Sequence, residues 1–96
     1  MELPEVFADD LSADRLGEVI RDIELCAEVL DVRLKRAASE RADDETLSLR
    51  DAMRVLLEGG ALGLQVRYVH RGAEWWDTVL RAGEGYRLIR VRPQLA

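Results

Sequence analysis

The chain has little of what marks the specialised protein classes. It holds one cysteine, Cys26, which excludes an internal disulfide framework, and it has no CxxC pair or Cys/His cluster from which a structural zinc site is built. Prolines number two, and 48% hydrophobic residues stand beside 34% charged ones, which excludes a collagen-like, low-complexity or disordered chain. No apolar run approaches the roughly 18–20 residues that cross a bilayer. The opening Met1-Glu2-Leu3-Pro4-Glu5 is acidic and lacks the basic start of a signal peptide. A soluble cytoplasmic protein without membrane contact is therefore expected. His70 is the single histidine, which narrows acid–base chemistry near neutral pH. Aromatics make up 5%, and Lys35 is the one lysine among fourteen basic residues.

What is present is unevenly distributed. The 96 residues are expected to form a single small domain, with 1–10 a flexible or docking N-terminal segment and 12–92 the core. Residues 1–63 carry a net charge of -8 and residues 64–96 a net of +3, which together make the total of -5. Tyr68, Trp75, Trp76 and Tyr86 all lie in the basic part, and Phe7 alone lies outside it. An acidic, aliphatic first part thus precedes a basic, aromatic one.

Periodicity predicts the elements. Ser12 is a good N-cap, with Leu11 and Leu16 placed as a hydrophobic staple and Asp14 at the positive end of the dipole. Leu16, Val19, Ile20, Ile23, Cys26 and Ala27 form one helical stripe, so a helix is expected over 12–27, with Cys26 a small core residue. Residues 28–36 carry two patterns. Leu30, Leu34 and Ala37 continue the helical stripe, whereas Leu30, Val32 and Leu34 alternate with Asp31, Arg33 and Lys35 as a strand does. The strand reading avoids placing Leu25, Val29 and Val32 on a polar helix face. Residues 39–45 are the most polar gap. Ser48-Leu49-Arg50-Asp51 is a capping-box variant that opens a helix over 49–58, and Gly59-Gly60 closes it.

The period then changes to two. Runs over 62–70, 74–81 and 86–92 are separated by Arg71-Gly72-Ala73 and Ala82-Gly83-Glu84-Gly85, which are turn sequences. Such short connections require antiparallel neighbours, and Pro93 ends the pairing. The expected fold class is α+β: two helices packed on one face of a three- or four-stranded antiparallel sheet with a C-terminal β-meander.

This sheet carries more apolar surface than one core face uses. Trp75 and Trp76 are adjacent on a strand and must point to opposite faces. One is expected to meet the helices and the other a partner. The partner-binding set comprises Arg67, Tyr68, Trp75, Trp76, Tyr86 and Arg90, with the register deciding whether Arg67 and Arg90 or Tyr68 and Tyr86 flank the outward Trp. Other chemistries find less support. Nothing basic surrounds Cys26 to activate its thiol. Gly59–Gly63 follows a helix, where phosphate loops precede one. His70 lacks further ligands at metal spacing. No catalytic residue, metal or cofactor is expected.

Three function classes follow. The leading one is a non-enzymatic protein-interaction module, of the accessory, adaptor, inhibitor or immunity type, that binds a protein partner or itself as a homodimer. The alternative is a nucleic-acid or nucleotide-binding domain using the same Arg, Trp and Tyr groups, against which the acidic balance and a pI near 4.9 argue. The last is an oligomeric enzyme assembling Arg67, His70, Glu74 and Asp77 across a subunit boundary.

Overall fold

The computed structural model describes residues 5–36 and 47–93. The chain is α+β, with two helices and a five-stranded antiparallel sheet. The elements run β1 (Glu5–Leu11), α1 (Ala13–Cys26), β2 (Glu28–Lys35), α2 (Leu49–Leu57), β3 (Gly63–His70), β4 (Ala73–Ala82) and β5 (Gly85–Arg92). The sheet order is β1-β5-β4-β3-β2, so the C-terminal meander forms the centre and the two earlier strands form the edges.

Local chemistry accounts for most boundaries. The Ser12 hydroxyl accepts from the Arg15 amide at 3.1 Å, and the Ser48 hydroxyl accepts from the Asp51 amide at 3.1 Å, so both helices start on a side-chain cap. Leu11 and Leu16 are both buried, as a staple requires. At the end of α2, Gly59 turns left-handed at φ 85°. The Gly60 amide then reaches the Val55 carbonyl at 2.9 Å and the Gly59 amide the Leu56 carbonyl at 3.2 Å, the paired bonds of a Schellman stop. Residues 28–35 are strand, as their alternation favours, with an irregularity between Val29 and Asp31.

Two expectations are corrected. The sheet has five strands, not three or four. The added strand is β1, which takes Glu5–Asp10 out of the expected N-terminal segment and pairs them with β5 along its whole length. Its sequence hides the strand, because Val6, Phe7 and Ala8 are consecutive apolar residues with no alternation. Cys26 is exposed, not core. The buried positions of α1 are Leu16, Ile20 and Ile23. The helix then ends at Cys26, and Ala27, already outside it, packs against the core instead. The 39–45 gap lies outside the described residues.

The core is one cluster. Leu16, Ile20 and Ile23 of α1 and Leu49, Ala52 and Leu56 of α2 join Leu11, Leu64, Val66, Tyr68, Val79, Tyr86 and Leu88 of the strands. All these strand residues occupy one face by register, here termed the core face. The other is the open face.

One glycine is held by close packing. A Cβ on Gly85 would stand 2.7 Å from the Leu11 carbonyl oxygen, where backbone meets backbone and neither yields. Gly85→Ala is expected to cost roughly 1–3 kcal/mol and to loosen β1 from β5. Gly17, inside α1, has nothing within 4 Å of its missing Cβ. Gly17→Ala is expected to stabilise by about 0.5–1 kcal/mol, since it removes the backbone entropy of a helical glycine. Denaturant midpoints of the two variants should move in opposite directions.

Candidate functional site

The hairpins decide which side chains meet. Arg71 at φ 52° and Gly72 at φ 77° make the two-residue turn between β3 and β4. Two consecutive positive φ values are the signature of a type I′ turn, whose twist suits the flanking strands. Gly83 at φ 59° opens the turn from β4 to β5. The resulting register pairs Tyr68 with Trp75, Arg67 with Trp76, and Asp77 with Arg90. Cross-strand partners share a face. The six residues expected to bind a partner therefore divide. Tyr68, Trp75, Tyr86 and Arg90 lie on the core face, and Arg67 and Trp76 on the open face. Arg67 and Arg90 do not flank one tryptophan together.

The core face contains a charge that the expected set omitted. Asp77 sits between Trp75 and Val79 and its side chain is 1% exposed. Arg90 holds it with two prongs, Nε to Oδ1 at 2.9 Å and Nη2 to Oδ2 at 2.9 Å. The Tyr68 hydroxyl donates to the same carboxylate, 3.2 Å from each oxygen. Burial, and then the Asp77 charge, push the Tyr68 hydroxyl well above its ordinary value of 10.0. The Asp77 hydrogen bonds likewise raise the Arg90 guanidinium. Tyr68 is thus a fixed donor and not a proton shuttle near neutral pH. The sequence alone left the face of Asp77 open; the two-residue Arg71-Gly72 turn fixes the register that sets it with Leu64, Val66 and Tyr68.

Beside this network a groove of about 580 Å³ opens where Phe7, Leu11, Arg15, Val19, Trp75 and Leu88 approach one another. Trp75 packs partly against the core, with the Arg92 guanidinium 5.6 Å from its ring centre. His70 donates from Nδ1 to the Cys26 carbonyl at 3.0 Å, tying β3 to the C-terminus of α1. Arg67, His70, Glu74 and Asp77 do not converge on one point, since Asp77 is on the core face and Arg67 and Glu74 are on the open one. Among the described residues no group of three or more His, Cys, Asp or Glu side chains could hold a metal ion. No helix among them is long and apolar enough to cross a membrane.

The open face is a grid of three rows across the five strands. The first row is Val6, Val91, Trp76, Arg67 and Asp31. The middle row is Ala8, Ile89, Thr78, Gln65 and Arg33. The third is Asp10, Arg87, Leu80, Gly63 and Lys35. Apolar groups thus gather over β1, β5 and β4, and charges over β3 and β2. Apart from Gly63, none of these residues is buried. Trp76 is fixed in place: its Nε1–H donates to Glu74 Oε2 at 2.6 Å, and the Arg67 guanidinium stands 5.8 Å from its ring centre. Glu74 also lies 3.7 Å from Arg67. A half-buried indole that is already ordered loses little freedom on meeting a partner.

No family model, curated protein or solved structure matches this chain.

The buried network yields a prediction with its sign set by Tyr68. The raised value favours the neutral hydroxyl in the folded state, so its contribution is complete below pH 10 and is lost as pH rises through the folded value. Above pH 10 the wild type should lose up to about 1.4 kcal/mol per pH unit from this group. Tyr68→Phe should cost about 1 kcal/mol at neutral pH and flatten the alkaline limb. Asp77→Asn should cost more, about 3 kcal/mol, because it strands the guanidinium, with the partial exposure of Arg90 moderating the penalty. Denaturant unfolding across pH 7–11.5 measures all three proteins, and equal alkaline slopes for wild type and Tyr68→Phe would refute the assignment.

Proposed function

We propose that the protein is a non-enzymatic interaction module that binds a protein, either another chain or its own copy, through the open face of the sheet around Trp76. One observation carries this reading. Val6, Ala8, Ile89, Val91 and Trp76 form an apolar block across β1, β5 and β4, with Thr78 and Leu80 beside it, and none of them is buried. Val6 is 58% exposed at its edge. An apolar block of this kind with a charged flank is the anatomy of a docking surface, and an ordered Trp beside an Arg is its usual anchor. The nucleic-acid alternative fits less well. Arg67 pairs with Glu74, Arg87 with Asp10 and Arg33 with Asp31, so these open-face guanidiniums already have carboxylate partners, and no basic stripe runs along the sheet.

The two tryptophans separate the reading from a purely structural one. Trp76→Ala is expected to leave the unfolding free energy within about 1 kcal/mol of wild type and to weaken association by about 2 kcal/mol, as a hot spot does. Trp75→Ala is expected to cost about 2–3 kcal/mol of stability, below the range for a fully buried Trp because the ring is partly exposed. Paired unfolding and sedimentation or titration measurements test this. Unchanged association in the folded Trp76→Ala protein would remove the open face as the working surface.

A further inference from the structure

The geometry points to a second copy of this chain as the occupant of the open face, stacked on it about a two-fold axis that runs across the strands along the middle row. This rests on the reading of the open face as the interaction surface and names its partner. Such an axis sets each middle-row residue opposite its own copy and exchanges the first and third rows within each strand. On β1 and β5 the exchange sets the ion-paired Asp10 and Arg87 opposite Val6 and Val91 of the other copy, and the remaining three strands are complementary. On β2 the row positions are Asp31 and Lys35, so each carboxylate faces an ammonium. On β4 they are Trp76 and Leu80, so apolar meets apolar.

On β3 the positions are Arg67 and Gly63. Arg67 stands on Trp76 and makes the bulkiest feature of the face. Gly63 is buried, with Leu80 Cδ2 2.8 Å from where a Cβ would stand, and beside it lies a depression of about 200 Å³ lined by Lys35, Gln65, Thr78 and Leu80. The two-fold axis lays Arg67 of one copy over this depression of the other. Like-charged contact is confined to Arg33 on the axis at the β2 edge, where Asp31 already holds the guanidinium at 2.8 Å. The other face-to-face two-fold axis, along the strands, would set Val6 on Asp31, Ala8 on Arg33 and Val91 on Arg67, charge-on-carbon contacts at three kinds of position where the first axis makes two.

Size supports the same occupant. Five strands spaced about 4.8 Å apart, rising about 3.3 Å per residue over the three rows and their margins, cover roughly 500 Å². Two copies bury about 1,000 Å², the lower end for a specific interface, so association in the micromolar range follows.

The test is sedimentation of the full chain and its charge-reversed variants, each first shown to be folded by thermal melting. Wild type should dimerise in the micromolar range. Lys35→Glu and Asp31→Lys should each weaken the dimer roughly tenfold, because each reversal acts at two symmetry-related sites. The double variant carrying both changes should recover wild-type affinity. Thr78→Cys in a Cys26→Ser background should be cross-linked to a dimer by a short bis-maleimide, since residue 78 meets its own copy on the axis and face-to-face sheets stand about 10 Å apart. A wild type that stays monomeric at millimolar concentration overturns the inference. So does a double variant no tighter than the singles. A monomeric chain that binds another protein in a Trp76-dependent way overturns the second copy while leaving the open face as the interaction surface. A dimer indifferent to Trp76→Ala overturns both.

Discussion

Register is the constraint on which the rest of this structure depends. Two tight turns, at Arg71-Gly72 and around Gly83, fix how β3, β4 and β5 align. A slip of one residue at either turn would exchange the faces of an entire strand. It would carry Asp77 to water and Thr78 into the core, and would break the contact of Arg90 with its carboxylate. The left-handed Arg71 shows that the turn is enforced by the strands and not by its own residue preference, since a non-glycine residue there is uncommon. The alternation of apolar residues along three strands and the turn geometry agree, and that agreement gives the sheet a single alignment.

The Asp77–Arg90–Tyr68 network follows from that alignment and reinforces it. A carboxylate with 1% exposure is tolerated only with its acceptor sites filled. Here a two-pronged guanidinium and a phenol from the flanking strands fill them. The gain in net stability over an apolar triad is small or negative, because desolvation offsets the attraction. What the network adds is discrimination: the carboxylate is satisfied in one register of both hairpins and in no neighbouring one. The same geometry turns Tyr68 and Arg90 toward the core face and leaves Trp76 and Arg67 on the open one.

Much of this was legible in the chain. The caps at Ser12 and Ser48, the stop at Gly59 and the C-terminal meander all rest on local signals, and local signals survive folding. The opposite facing of Trp75 and Trp76 follows from the pleat alone. The parts that were not legible depend on distant contacts. β1 lacks alternation because both its faces have apolar neighbours, and its partner β5 is almost the whole chain away. Cys26 fits the helical stripe by spacing, yet α1 ends there, so an inward position by arithmetic becomes an outward one in space. The division of the expected binding residues between two faces needed the turn types, which the sequence alone left open.

The arrangement of the edges bears on how the sheet associates. Both edge strands come from the acidic first part of the chain and flank the basic meander. β1 carries Asp9 and Asp10, and β2 carries Glu28 and Asp31 together with an irregularity after Val29. Charged residues and bulges are the usual means by which sheet edges resist pairing with another chain. The pairing of Asp10 with Arg87 ties β1 inward at 3.3 Å and leaves its outer rim acidic. Edge-to-edge extension through β1 would therefore bring acidic residues together, and through β2 it would have to pass the irregularity after Val29. The open face has the opposite character: its centre is apolar, and on β2 the sign changes between Asp31 and Lys35. An acidic β1 rim and an irregular β2 argue against extension at the edges, which is why the proposal rests on the face and not on the rim.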